Sequence, residues 1–163
     1  MPKFSAGILL FRRAPRLEVF LIHPGGPFWA KKDAWSIPKG EYEPDEEPLA
    51  AARREFEEET GAPGESVFRG DFLPLGEIRQ PSGKQVTAWA VEGDFDPSTL
   101  VSNTCQIEWP PRSGRHIEIP EVDRGAWFPL DDARARIFQG QEALLDRLVQ
   151  ALQPSPQEEQ HRR

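Results

Sequence analysis

Short apolar runs of strand length and a few stretches with helical spacing divide the chain. Residues 5–13 (SAGILLFRR) and 17–23 (LEVFLIH) are rich in aliphatic, β-branched and aromatic side chains, and a proline-containing turn separates them, which predicts paired strands. Residues 24–33 (PGGPFWAKKD) read as a loop from their glycine and proline content. At Pro48–Thr60 the pattern changes to a helical one, with proline in the first turn and Gly61 just past the end. Residues 71–80 and 84–93 flank Pro81, Ser82 and Gly83, as two strands of a hairpin would. The stretch 94–114 is proline-rich and reads as irregular, and strand character returns around Ile117 and Trp127. Two helical patterns follow at 131–138 and 141–152, the second with Ala143, Leu144, Leu148, Ala151 and Leu152 on one side. No internal repeat is present. Residues 154–163 lack apolar residues other than proline and read as a disordered tail. Mixed strands with a few helices predict an α/β or α+β sandwich, a single domain over 1–153.

Composition narrows the class. A chain of 163 residues, 37% hydrophobic and 10% aromatic, can bury one sizeable core. No apolar run is long enough to span a membrane, and no secretory pattern opens the sequence, so a cytoplasmic protein is expected. Cys105 is the only cysteine, which excludes an internal disulfide and a cysteine zinc cluster. A pI near 5.1 argues against nonspecific binding to nucleic acid, which needs a basic patch. It leaves phosphate ligands open, provided a divalent cation stands between carboxylates and phosphates.

The charge is concentrated in one place. Residues 40–62 (GEYEPDEEPLAAARREFEEETGA) hold nine acids and two arginines, a surplus of seven that equals the net charge of the whole chain. Within the helix, Glu55, Glu58 and Glu59 stand at i, i+3 and i+4 and converge on one face, while Leu49, Ala52 and Phe56 form a separate apolar stripe. Most glutamate-rich faces are plain solvated surface. Such faces usually intersperse lysine, and this helix has none. The alternating ligands and central glycine of an EF-hand loop are also missing. A site for magnesium or manganese suits three hard carboxylates on a rigid helix.

The same segment resembles the signature of the Nudix hydrolases, G-x5-E-x7-R-E-U-x-E-E-x-G-U, in which U is a bulky aliphatic residue. Gly40, Glu46, Arg54, Glu55, Glu58, Glu59 and Gly61 fill all seven fixed positions, and the two U positions hold Phe56 and Ala62. The resemblance implies an α/β/α sandwich with a mixed sheet. It also implies water attack on phosphorus in a nucleoside diphosphate linked to another group, or in a polyphosphate, with Mg2+ or Mn2+ as cofactor. By that likeness Glu55, Glu58 and Glu59 are metal ligands, joined by the Gly40 carbonyl, and Glu58 is the favoured proton acceptor. Arg54 orients the carboxylates, and Glu46 braces or caps the segment. A further acid from a loop preceding a late strand that begins with Trp is expected, with Glu121, six residues before Trp127, ranked ahead of Glu118 and Asp123.

Three of the five lysines, Lys31, Lys32 and Lys39, lie just upstream of the acidic segment, as a polyphosphate clamp requires. Phe28 and Trp29 are candidates to stack a base, although aromatics more often serve a core. His23 reads as a strand-end residue with no catalytic work. The sequence 35–41 (WSIPKGE) resembles family members that act on dinucleoside polyphosphates and diphosphoinositol phosphates. A dinucleoside polyphosphate or nucleoside triphosphate is thus the favoured substrate, and a diphosphoinositol polyphosphate or a nucleotide sugar the alternative. A non-catalytic ligand sensor on the same fold and an acidic docking domain are the rival functions. The expected partner is a small phosphoanhydride, with no nucleic acid polymer and no membrane.

Overall fold

The computed structural model describes residues 4–13 and 15–153. The expected tail at 154–163 lies outside the described residues. The central sheet runs in the order β4-β5-β1-β2-β8, from Leu73–Arg79, Gln85–Glu92, Phe4–Arg12, Glu18–Pro24 and Val122–Pro129. A short strand β3, Lys39–Glu41, pairs with residues 5–7 of β1. The β1/β5 pair is parallel and the other pairs are antiparallel, so the sheet is mixed.

Alternation along each strand sends side chains to two separate cores. Leu9 and Phe11 of β1, Val19 and Leu21 of β2, and Val86, Ala88 and Ala90 of β5 enter one. Ala133 of α3, Leu130–Arg136, and Leu144, Leu145 and Leu148 of α4, Glu142–Leu152, cover that face. Ala6, Ile8, Leu10, Phe20 and Ile22 enter the other, under Ala51, Ala52 and Phe56 of α1, Pro48–Thr60. The result is an α/β/α sandwich, as expected. On the α1 side, Phe20 packs against Phe56, Phe95 and Trp127 with ring centroids 5.3–6.4 Å apart.

Several boundaries differ from the sequence expectation. Residues 104–108, expected to be irregular, form β6, Thr104–Glu108, which pairs with β7, His116–Pro120, in a separate two-stranded sheet. This ribbon has no deeply buried face, so no apolar alternation announces it. A one-turn helix α2, Gly64–Val67, was also not foreseen. The third helix stops at Arg136 because Ile137 bridges Trp35 and the Phe138 N–H donates to the Trp35 carbonyl at 2.8 Å. On α4, Ala143 and Ala151 are exposed, and Leu145 is buried instead. Among the described residues, no helix is long and apolar enough to cross a membrane.

Candidate active site

The first helix is fixed at both ends. Glu47 caps it by accepting from the N–H groups of Leu49 and Ala50 at 3.1 and 3.0 Å, and Pro48 loses nothing at a position where an N–H has no helical partner. Gly61 ends it in the left-handed region at φ 76° and donates its N–H to the Glu57 carbonyl at 2.8 Å. Cap and brace are thus divided between neighbours. Glu47 caps, and Glu46 takes the Arg54 fork, Nε to Oε2 at 2.8 Å and Nη2 to Oε1 at 3.0 Å.

Arg54 also reaches along the helix. Its Nη1 donates to Glu55 Oε1 at 2.9 Å and to Glu58 Oε1 at 3.0 Å, so one guanidinium orients three carboxylates. Glu59 accepts instead from the backbone N–H of Lys39 at 3.0 Å, which ties the end of α1 to β3. Gly40, next along β3, faces Glu55 so closely that a Cβ there would lie 2.1 Å from the carboxylate carbon. Only glycine leaves that carboxylate in place.

A small cavity of about 140 Å³ opens beside this cluster, lined by Lys39, Glu59, Glu121 and Phe138 together with Pro24 and Ile37 among others. Glu121 arrives at the junction of β7 and β8, and Asn103 fixes it there. Asn103 donates its N–H to the Glu58 carbonyl and accepts from the Glu121 N–H, both at 2.9 Å. The rival acids are engaged elsewhere: Glu118 accepts from Thr104 Oγ1 on the exposed ribbon, and Asp123 bonds His23.

The electrostatics follow from burial and crowding. Burial, then the charges of Glu55 and Glu121, push the Glu59 carboxyl up to about 8, against the opposing hydrogen bond and charge of Lys39. Burial raises Glu55 as well, with Glu58 adding to it and Arg54 opposing. Glu121 is raised by burial and by Glu58, and lowered by a hydrogen bond its side chain takes from Asn103. The Lys39 ammonium is shifted downward, chiefly by burial and then by Lys84. The protein's own cations therefore leave the carboxylate cluster undercompensated.

Four carboxylates with hard oxygens match a magnesium or manganese donor set in chemistry. As the side chains stand, no three His, Cys, Asp or Glu groups among the described residues meet closely enough to hold an ion. Glu55 and Glu58 are turned toward Arg54, and Glu59 toward the Lys39 N–H.

The loop 25–33 carries the remaining candidates. Lys32 Nζ sits 3.6 Å from the Phe28 ring centroid, a cation–π contact that covers one of the proposed stacking surfaces. Trp29 packs at 5.3 Å on Phe138, which lines the cavity. Lys31 is exposed. Asn103, Phe138, Lys84 and Gln141 were not foreseen. Lys84 pairs with Glu41 at 3.4 Å beside Lys39. Gln141 is fully buried, accepts from the Ile37 N–H at 3.0 Å and donates to Ser36 Oγ at 2.9 Å, bracing the segment that leads to Lys39. Its position three, four and seven residues before Leu144, Leu145 and Leu148 was the available signal: a polar residue on an apolar face.

The family model of the NUDIX domain matches residues 1–148. The chain belongs to the Nudix family. It is a hydrolase acting on pyrophosphate bonds, as Nudix hydrolases are, and the family generally uses divalent metals. Solved Nudix structures share the fold. An Ap4A hydrolase from C. elegans in a binary complex is 21% identical over 91% of this chain and 97% of its own, with a TM-score of 0.67. The Nudix hydrolase RenU from M. smegmatis is 24% identical over 94% of this chain and 88% of its own, with a TM-score of 0.59. The NUDIX domain of Shewanella oneidensis NrtR, complexed with ADP ribose, is 16% identical over 94% of this chain and 90% of its own, with a TM-score of 0.63. No curated protein matches the chain.

Proposed function

We propose that residues 1–153 form a magnesium- or manganese-dependent pyrophosphohydrolase of the cytoplasm that cleaves dinucleoside polyphosphates or nucleoside triphosphates. The observation that carries this is that Glu59, Lys39 and Glu121 line one cavity while Glu55, against Gly40, and Glu58 stand beside them on α1. Glu55, Glu58, Glu59 and the Gly40 carbonyl would hold the divalent cation, which when bound neutralises the bridging phosphates and makes the phosphorus more electrophilic.

The chain's own groups do the rest. A water oxygen forms a bond to phosphorus, the bridging P–O bond breaks, and the water proton passes to a carboxylate, Glu58 by preference and Glu121 next. Arg54 keeps Glu55 and Glu58 in register. Lys39 meets the polyphosphate, and Lys31 and Lys32 extend the clamp once Lys32 swings off Phe28. Trp29 and Phe28 stack the adenine. The Ap4A hydrolase of C. elegans supports the substrate class only by having the same fold.

The deciding measurement is the ratio of kcat/KM for diadenosine tetraphosphate to that for ADP-ribose, with and without Mg2+, in wild type and Lys39→Ala. A ratio above one that depends on Mg2+ and falls in the variant is expected. A preference for ADP-ribose, or unchanged cleavage of the tetraphosphate by Lys39→Ala, overturns the substrate assignment.

A further inference from the structure

His23 lies in the apolar run of β2, yet its ring is wholly buried and both its nitrogens face acceptors. Nδ1 lies 2.9 Å from Asp123 Oδ1, and Nε2 lies 2.6 Å from the Lys32 carbonyl oxygen. A neutral imidazole has one N–H. Both bonds form together only when ring and carboxyl share an additional proton, either as imidazolium against carboxylate or as a neutral ring accepting at Nδ1 from a protonated Asp123.

The backbone delivers this contact by an irregularity. The β2/β8 register shifts after His23: His23 lies opposite Arg124 and Pro24 opposite Val122, which leaves Asp123 as the extra residue of a bulge. Pro24 has no N–H with which to continue the ladder, and a bulge re-aims the side chain of its extra residue. The contact then passes into the loop 25–33, because the Lys32 N–H donates to the Trp29 carbonyl at 2.9 Å. At its other end the loop is tied to the cavity by the Gly25 N–H, which donates to the Glu121 carbonyl at 2.9 Å.

We propose that His23 is a positioning residue: with Asp123 it clamps the returning end of the loop, holds Trp29 against Phe138 at the cavity rim, and thereby sets affinity for the base-bearing end of the substrate. The ligand named here follows from the nucleotide assignment above, whereas the clamp itself does not.

Hydrogen–deuterium exchange on the full chain, free of metal and nucleotide, tests the clamp in wild type, His23→Leu, Asp123→Ala and Asp123→Asn. Loop amides at 25–33 should exchange about tenfold faster or more in His23→Leu and several-fold faster in Asp123→Ala, with α1 and β4/β5 unchanged. Asp123→Asn should restore protection, because its amide donates to Nδ1 while Nε2–H stays on Lys32. Asp123 is partly exposed, so its two variants carry the test if His23→Leu does not fold.

In the kinetic arm, KM for diadenosine tetraphosphate should rise about tenfold in His23→Leu with kcat within about twofold, as when the competent loop state falls to about a tenth of the population. The Ki of inorganic tripolyphosphate, which has phosphates and no base, should rise by less than KM does, because it loses only the Lys31 and Lys32 share of the loop's contacts and keeps Lys39. Unchanged loop exchange, or failure of Asp123→Asn to restore it, overturns the clamp. Equal rises in KM and Ki, or a fall in kcat alone, overturn its link to the base-bearing end. If wild type cleaves no nucleotide while the exchange pattern holds, the nucleotide assignment fails and the clamp stands.

Discussion

The Gly40→Ala substitution separates architecture from chemistry at the carboxylate cluster. An added Cβ would lie 2.1 Å from Glu55 Cδ and Oε2, whereas ordinary contact starts at 3.4 Å, so the carboxylate must retreat by about 1 Å or more. The obstacle is the far end of a flexible side chain and not backbone, so the pairing of Ala6 with residue 40 can persist. What is lost is the 2.9 Å bond from Arg54 and the fit of one buried carboxylate, about 1 kcal/mol. For a chain of this size that lowers Tm by about 2–4 °C. A displacement of about 1 Å at the reacting centre lowers turnover by roughly a hundredfold. Scanning fluorimetry with and without Mg2+, beside initial rates, reads both quantities. Turnover within about threefold of wild type would show that Glu55 has no part in the chemistry, and a Tm loss beyond about 10 °C would make Gly40 an architectural residue.

Glu58→Gln keeps size and the bond to Arg54 while removing a charge, so turnover should fall by about 10²-fold or more with Tm unchanged or slightly raised; near wild-type rates at saturating Mg2+ would remove Glu58 from the mechanism. Glu121→Gln should lower turnover yet retain most of the thermal stabilisation by Mg2+, because the helix carboxylates remain; equal activity would return the role to a helix acid. The Glu59 carboxyl, raised from 4.5 to about 8, gives a pH signature. A folded-state value above the unfolded one means that the native state holds the extra proton, so the Glu59 contribution to metal-free stability is fully present below about 4.5 and is lost as pH rises through about 8. Metal binding must expel that proton, so the Tm gain from Mg2+ should grow between about pH 6 and 8.5; a gain independent of pH over that range refutes the assignment of Glu59 as a ligand.

The local and periodic parts of this protein are legible in its residues alone. The near-continuous apolar runs within 5–13 and 17–23 read as strands, and Pro48, the i, i+3, i+4 acids and Gly61 describe a helix with its charge on one side. Seven fixed identities within that helix and its approach disclosed the family, and so the sandwich. The ribbon of β6 and β7 was not legible, since a strand pair with no deeply buried face leaves no hydrophobic pattern to read. For the acid that comes from afar, spacing to Trp127 ranks Glu121 first, and the fold supplies the physical reason. The Asn103 bridge, the Thr104 hydroxyl and the bulge at Pro24 give Glu121, Glu118 and Asp123 each a different neighbour. The same holds for His23 and Gln141. Their burial is tolerable because partners nine residues and a hundred or more residues away satisfy their polar atoms, and hydrogen bonds at such separations leave no periodic trace in a chain.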